Sequence, residues 1–194
     1  MSTFLDDLIH KANAVRLFWQ WDNKNLIGLA SVFKVYATDG SSAWLTESKG
    51  DCDGDGLRDP SVNWGADLTG QPQTNIDPKG TWFIPNKMGG SVSPGGSVIP
   101  IGTLGTAFYN GHHCHFVVHD TGPHSKFGEL TPYVLRQLGQ DPVHHGKYVD
   151  SGIDSGVRQL FYIGSHIGKT PIIQADIDRA CEPYFQKYKT SVSP

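Results

Sequence analysis

The segment that decides the fold is residues 115–139, whose sequence is HFVVHDTGPHSKFGELTPYVLRQLG. Within it, the apolar run 116–118 has the β-branched composition of a buried strand. The turn-forming residues at 121–123, Thr-Gly-Pro, are expected to end this strand at once. Asp120 is therefore predicted at the strand end, at the edge of the core.

A second carboxylate, Glu129, comes just before a predicted short helix. Thr131 is able to cap this helix, Pro132 suits its first position, and Gly139 ends it. Nine residues of extended chain span roughly 30 Å, so the spacing alone does not bring Glu129 to Asp120. The glycines and the proline between them supply turns that could do so. The local pattern alone favours ordinary solvated loop carboxylates for the two acids.

Composition limits the class of protein. A chain of 194 residues is long enough to bury one core and is expected to form one domain. Its net charge of -3 and pI near 6.3 give no electrostatic footprint for nucleic acid and suit a cationic substrate better. The 23 glycines and 12 prolines indicate a turn-rich β structure rather than a helical bundle.

The remaining pattern predicts a small closed barrel between two helices. Residues 3–20 have the apolar spacing of an amphipathic helix, and residues 174–189 predict a second helix, split or bent near Pro183. Short apolar runs between them are predicted strands, at residues 30–37, 42–46, 82–84, 97–101, 107–109, 113–119 and 157–163. The predicted fold is a β-rich α+β single domain over residues 1–194, with both helices packed outside the barrel.

An acidic motif lies in the long polar loop region 49–80. Asp51, Asp53 and Asp55 alternate along the chain and are followed by glycine, which matches the start of a calcium loop. The twelfth position is Val62 rather than a bidentate glutamate, so the match is incomplete. Three interpretations stay open: a structural calcium site, an acidic surface that attracts the amines of a basic polymer, or a solvated turn.

Histidines and cysteines give weaker signals. On a strand, His113, His115 and His119 project to one face, and two histidines separated by one residue could bind zinc. No later cysteine or carboxylate completes a known zinc spacing, so histidines that face solvent or line a sugar groove are favoured. No metal or cofactor is predicted. The three cysteines allow at most one disulfide, and their number does not indicate a compartment.

Several motifs together resemble the fungal and bacterial chitosanases of glycoside hydrolase family 75. They are the acidic loop 51–56, the segment Gly70-Gln-Pro-Gln-Thr-Asn75, the apolar strand that leads to Asp120, and Glu129 nine positions later. The resemblance covers about residues 30–164, which would form the core of the catalytic domain. A looser similarity of the strand and turn at Asp120 to double-psi β-barrels suggests the architecture.

The resemblance implies that Asp120 and Glu129 are the catalytic pair of a monomeric, extracellular enzyme that cuts chitosan internally with inversion. The chain departs from that family in its His-rich strand. It also lacks the basic start and apolar run of a signal peptide, so its compartment stays open. We further expect substrate-binding roles for Asp51, Asp53, Asp55, Gln71, Gln73, Asn75, Trp82 and Tyr109. Asp59, Trp44 and Trp64 are weaker candidates, since a core position explains a tryptophan equally well.

Inverting hydrolysis needs one carboxylic acid to protonate the leaving oxygen and one carboxylate to activate water. Because Asp120 ends an apolar strand, burial is expected to raise its pKa and suit it to be the acid. Glu129, near a helix N-terminus, is expected to stay ionised as the base. The reverse assignment stays open. Two other functions also remain: a lysin that cleaves peptidoglycan, and a non-catalytic module that binds polysaccharide or calcium.

Overall fold

The computed structural model of the chain describes residues 4–11, 16–19, 30–61, 71–94, 99–122, 127–144, 147–148 and 152–191. The strands among them are β1 (Arg16–Trp19), β2 (Ala30–Tyr36), β3 (Ser42–Cys52), β4 (Gly90–Pro94), β5 (Leu104–Tyr109), β6 (His112–Gly122), β7 (Glu129–Leu130), β8 (Val143–His144), β9 (Lys147–Tyr148) and β10 (Ile153–Tyr162). The helices are α1 (Phe4–Lys11), α2 (Pro132–Gln137) and α3 (Gln174–Thr190).

Six strands close into a barrel. Around it, β3 pairs with β10, β10 with β5, β5 with β6, β6 with β4, β4 with β7, and β7 returns to β3. Outside the barrel, β2 pairs with β3 and β1 pairs with β2. The predicted small closed barrel in a β-rich α+β chain is confirmed. No helix in the described part of the chain is both long and apolar enough to cross a membrane.

The barrel connectivity has an internal twofold relation. The pairs β4–β6 and β3–β7 are parallel, and the other four barrel pairs are antiparallel. Exchanging β3, β4 and β5 with β6, β7 and β10 maps this whole set of pairings onto itself. The double-psi architecture itself stays a prediction.

Two apolar clusters lie on opposite faces of the same strands. One contains Leu104, Val117 and Leu160 together with buried residues of α1 and α3, so both helices pack outside the barrel as predicted. The other contains Phe116, Val118 and the buried residues of α2. Because side chains alternate along a strand, β6 is buried on both faces, which explains its continuous apolar run.

The N-terminal helix is shorter than predicted. α1 ends at Lys11 and residues 16–19 form β1, so the prediction of one helix over residues 3–20 is wrong. Residues 12–15 and 20 lie outside the described part of the chain. The apolar run of three residues at 17–19 fits a strand as well as a helix turn, and pairing with β2 decides in favour of the strand. The helix that remains buries Leu5 and Leu8.

Two short predicted strands are also wrong. Residues 82–84 form a bend, because the backbone N–H groups of Thr81, Trp82 and Phe83 donate to the buried carboxylate of Asp77 rather than to a neighbouring strand. Residues 99–101 form no strand, and residues 97–98 lie outside the described residues. The segment that does enter the barrel is β4, whose sequence GSVSP carries little strand signal.

Elements near the predicted carboxylates differ in detail from expectation. β6 does not stop at Asp120 but continues to Gly122. Thr131 occupies the N-cap position of α2, yet its hydroxyl donates to the Met88 carbonyl (2.8 Å) and accepts from the Gly90 N–H (3.0 Å), so it ties α2 to β4 rather than capping the helix. The last helix is not split: α3 is one helix that includes Pro183.

Candidate active site

An acidic cleft of about 420 Å³ opens at the point where β3, β4, β6 and β7 meet. Its described lining residues include four carboxyl groups and neither a lysine nor an arginine. They are Cys52, Asp53, Gly54, Asp55, Gln71, Val92, Asp120, Thr121, Gly122 and Glu129. Both predicted catalytic carboxylates, two of the three predicted acidic-loop residues and Gln71 therefore lie in one cleft.

Asp120 and Glu129 lie on either side of Val92 in the barrel wall. Val92 pairs with Asp120 across β4 and β6. On the other side, Ser91 pairs with Leu130 across the antiparallel strands β4 and β7, which sets Val92 opposite Glu129. Residues in one cross-strand row point to the same face. Two strand spacings separate the two backbones, or about 9–10 Å.

The Asp120 carboxylate is held by neighbours on its own strand and on an adjacent loop. Its Oδ1 accepts from the side-chain amide of Asn75 (2.6 Å) and from the backbone N–H of Thr121 (2.7 Å). The same amide donates to the Thr121 hydroxyl (2.7 Å). Burial raises the pKa of Asp120, while the Thr121 N–H and the charge of His119 oppose the rise. Asn75 thus contacts Asp120, and its role in substrate binding stays a prediction.

Asp55 and Asp53 form a second carboxyl pair in the cleft. The Asp55 N–H donates to Asp53 Oδ1 (2.9 Å), and Asp55 Oδ1 accepts from the Gln71 N–H (2.5 Å). Burial, followed by the charge of Asp53, raises the pKa of Asp55 to about 7. The cleft therefore holds, close to Asp120, a carboxyl group that keeps its proton to a much higher pH than an ordinary aspartate does.

Beneath these carboxyls lies His119, which is fully buried. Its Nε2 is 3.1 Å from Asp53 Oδ2, and its Nδ1 is 3.1 Å from the carbonyl oxygen of Ser91. The sequence placed His119 among candidate zinc ligands or groove residues, but not against Asp53. No local signal reveals that contact, because it depends on how β3 and β6 are placed in the barrel.

The other acidic residues have separate partners. Asp51 pairs with Glu129 across β3 and β7, and its carboxylate binds Lys49 (2.6 Å). Asp59 is buried away from the cleft, where it accepts from Ser61 and binds Lys87 (3.2 Å). Among the described residues, no three side chains of His, Cys, Asp or Glu are arranged to hold a metal ion.

The remaining predicted sugar contacts are not brought to the acidic cleft. Gln73 is exposed in the loop that carries Asn75. Trp82 and Trp44 are partly buried against the two apolar clusters. Tyr109 lines a separate apolar pocket beside Phe4 and Phe108. Trp64 lies outside the described residues. Their roles in substrate binding stay predictions.

The histidines of β6 do not act as one row. His113 is exposed and stacks on Phe185 of α3, with ring centroids 5.0 Å apart. The ring of His115 is nearly buried and bonds to the hydroxyl of Thr106 (2.8 Å), with Glu182 at 3.3 Å on its other side. His113 and His115 pack against α3, whereas His119 contacts Asp53, so the three histidines do not meet at one site.

All three cysteines are free thiols. Cys114 and Cys181 are buried, and burial raises the pKa of both thiols. Cys52 is partly exposed and lines the cleft between the two acidic positions 51 and 53. The described thiols therefore supply no disulfide to the barrel.

Comparison with protein-family models and with curated proteins found no match. Function is therefore inferred from the geometry of the cleft and from the motifs of the sequence.

Proposed function

We propose that the chain is an endo-acting glycoside hydrolase that cleaves β-1,4-glucosamine linkages in chitosan by inversion. One observation carries this proposal: Asp120 and Glu129 flank Val92 in one cleft, two strand spacings apart. The resemblance of residues 30–164 to family 75 chitosanases names the same two residues. It also names the substrate class.

The separation of the two carboxylates supports inversion. Inverting enzymes hold their carboxyl groups about 6.5–9.5 Å apart so that a water fits between sugar and base, whereas retaining enzymes hold them about 5–5.5 Å apart. Backbones about 9–10 Å apart, with side chains on one face, suit the larger value.

Asp120 is the better acid of the pair. Its pKa is raised chiefly by burial, so it holds a proton at higher pH than an ordinary aspartate and can give it to the leaving oxygen. Asn75 and Thr121 fix the direction of the carboxyl group. Glu129 is then the base that activates water on the opposite face of the sugar.

The charge of the cleft supports a cationic polymer. Four carboxyl groups line it, and the ammonium groups of glucosamine residues would be attracted to them. Asp53 and Asp55, with Gln71, are the residues that we expect to contact such a group beside the reacting sugar. A neutral polysaccharide would gain nothing from this arrangement.

The deciding experiment measures release of reducing ends from chitosan, carboxymethyl cellulose and purified peptidoglycan. We expect the parent to cleave chitosan and Glu129→Gln to lose at least about 10²-fold in rate, the usual size of an acid–base contribution. The control is Glu182→Gln on α3, an exposed glutamate outside the cleft, which should keep parental activity. Both variants should melt near the parent temperature.

Other outcomes identify the competing functions. Cleavage of peptidoglycan without cleavage of chitosan would assign the chain as a cell-wall lysin. Binding of chitosan without release of reducing ends, by a folded parent, would make it a binding module. The stereochemistry is tested separately: proton NMR of fresh product should show the α-anomer first, and initial β-anomer would contradict inversion.

A further inference from the structure

We propose that His119 is a positioning residue of the cleft: a buried imidazolium, ion-paired with Asp53, that fixes the strand bulge presenting Asp120 and supplies positive charge beneath the carboxyl groups. Its consequence for catalysis rests on the proposed hydrolase function. The charge of His119 and its effect on Asp120 are tested without any substrate.

The surroundings of the ring call for a charged histidine. Nδ1 is 3.1 Å from the carbonyl oxygen of Ser91, and Nε2 is 3.1 Å from a carboxylate oxygen of Asp53. A carbonyl and a carboxylate only accept hydrogen bonds, so a ring protonated on both nitrogens is the state that suits both neighbours. Burial alone would lower the pKa of His119, but Asp53 and Asp120 raise it above its ordinary value.

The ring is held in a fitted slot. It stacks on Phe83, with centroids 4.6 Å apart and planes at 17°. A side chain at Gly90 would place its Cβ 2.6 Å from Nδ1, so glycine there leaves the space that the ring occupies. Phe83 is set in turn by the bend whose N–H groups donate to Asp77. The position of the His119 ring is therefore defined by contacts on several of its sides.

His119 is also the extra residue of a β-bulge. Ser91 pairs with Val118 and Val92 pairs with Asp120, so His119 has no pairing residue on β4. A bulge turns the side chains that follow it, and bulges often accompany active sites. The His119 carbonyl accepts from the Ile76 N–H (2.9 Å), which fixes the loop next to Asn75. His119 thus orients Asp120, and its carbonyl also anchors the loop that carries Asn75, whose side-chain amide binds Asp120.

Among the residues that the structure describes, the charged groups that act on His119 are carboxyls. Asp53 and Asp55 face it from the segment that follows β3, and Asp120 faces it from β6. The contacts from β4 and from Phe83 are uncharged. The imidazolium counteracts part of the repulsion among these carboxyls and opposes the effect of burial on Asp55 and Asp120.

The test is an NMR titration of side-chain carboxyls labelled with ¹³C at aspartate, in the parent and in His119→Gln. Glutamine is able to bond to Ser91 but carries no charge. We expect the titration midpoint of Asp120 to rise by about one unit or more, the usual effect of losing an adjacent opposite charge. The control is His115→Gln on the same strand, which should leave the midpoint unchanged. An unshifted Asp120 in folded His119→Gln would overturn the proposal.

A second measurement does not depend on a variant that folds. The ¹⁵N and ¹H signals of the His119 ring in the parent should show both nitrogens protonated at pH 7. A neutral ring at that pH would overturn the proposal. In enzyme assays, the limb of the kcat/KM profile that falls as Asp120 loses its proton should move to higher pH in His119→Gln, which a purely structural loss would not produce.

The two proposals fail separately. If the parent cleaves no polymer but Asp120 shifts in His119→Gln, the hydrolase proposal fails and the electrostatic role of His119 stands. If the parent cleaves chitosan and neither the Asp120 midpoint nor the pH profile moves, the role of His119 fails alone.

Discussion

The side-chain amide of Asn75 donates to Oδ1 of Asp120 at 2.6 Å, and this contact joins a loop to the carboxyl group at the centre of the cleft. We expect Asn75→Ala to lower kcat about tenfold, since a hydrogen bond to a charged group contributes about 1.5 kcal/mol or more. A hydrogen bond to the carboxylate favours its charged form, so losing it raises the pKa of Asp120 further. Activity that requires protonated Asp120 should then persist to higher pH.

The matched control for Asn75→Ala is Thr121→Val. This change removes the other acceptor of the same amide and keeps the contact with Asp120. It should alter kcat less than Asn75→Ala does and leave the pH profile in place. Equal losses in both variants, with no shift of the profile, would show that Asn75 acts only on loop structure.

Gly122 leaves the space in which the Glu129 carboxylate lies. A Cβ at residue 122 would be 2.8 Å from Glu129 Oε2 and 2.9 Å from Cγ1 of Val92. The end of a glutamate side chain moves at little cost, so Gly122→Ala should fold but displace the proposed base. Because small misplacements of catalytic groups cost up to about 10²-fold, we expect kcat to fall about 10- to 100-fold while the melting temperature stays within a few degrees.

A suitable comparison for Gly122→Ala is Gly168→Ala, where the nearest atom to a new Cβ is 4.0 Å away. That variant should match the parent in rate and in stability. Parental kcat in folded Gly122→Ala would argue that the position of Glu129 does not matter to the reaction.

The sequence predicts the barrel because its signals are local. Runs such as 113–119 and 157–163 have strand composition and are followed by turn residues, and β6 and β10 form at those places. Local sequence patterns fail to predict secondary structure where a residue distant in sequence determines the backbone conformation. Asp77 binds the backbone of residues 81–83 and prevents a strand there, while the two-residue β7 exists only because β3 and β4 lie on either side of it.

The candidate site is predictable only in part for the same reason. The resemblance identifies Asp120 and Glu129, but their placement on either side of Val92 depends on the register of β4 against both β6 and β7. The bulge at His119 arises from the pairing of β6 with β4, so the sequence of residues 115–120 alone does not predict it. Its contact with Asp53 joins positions 66 residues apart in sequence, beyond the reach of any spacing rule.

Ionisation of Asp55 should lower the free energy of unfolding of the protein. The Asp55 pKa of about 7 lies above the ordinary 3.8, so between those values the folded chain binds this proton more tightly than the unfolded chain does. The associated stability is complete below about pH 4 and is lost as pH rises through 7. Because Asn does not ionise, Asp55→Asn should exceed the parent in stability above pH 7, by about 1–2 kcal/mol once solvent screening is allowed for.

This difference is measured as melting temperature against pH. Asp55→Asn should melt a few degrees above the parent at pH 8 and level with it at pH 4. Asp154→Asn, on the exposed part of β10, provides a carboxyl replacement outside the cleft and should show no such trend. A parent-like Asp55→Asn at pH 8 would mean that Asp55 is solvated and ionises without penalty.

Chemical rescue distinguishes the roles of Asp120 and Glu129. Removing the base leaves a space on the face where water attacks, and azide is able to react there without needing a base. Azide should therefore restore Glu129→Ala and produce a glycosyl azide of inverted configuration, detectable by mass spectrometry and NMR. It should not restore Asp120→Ala on chitosan, because the leaving oxygen would still lack its proton donor. Rescue of Asp120→Ala alone would reverse the two assignments, placing the base on β6 and the acid on β7.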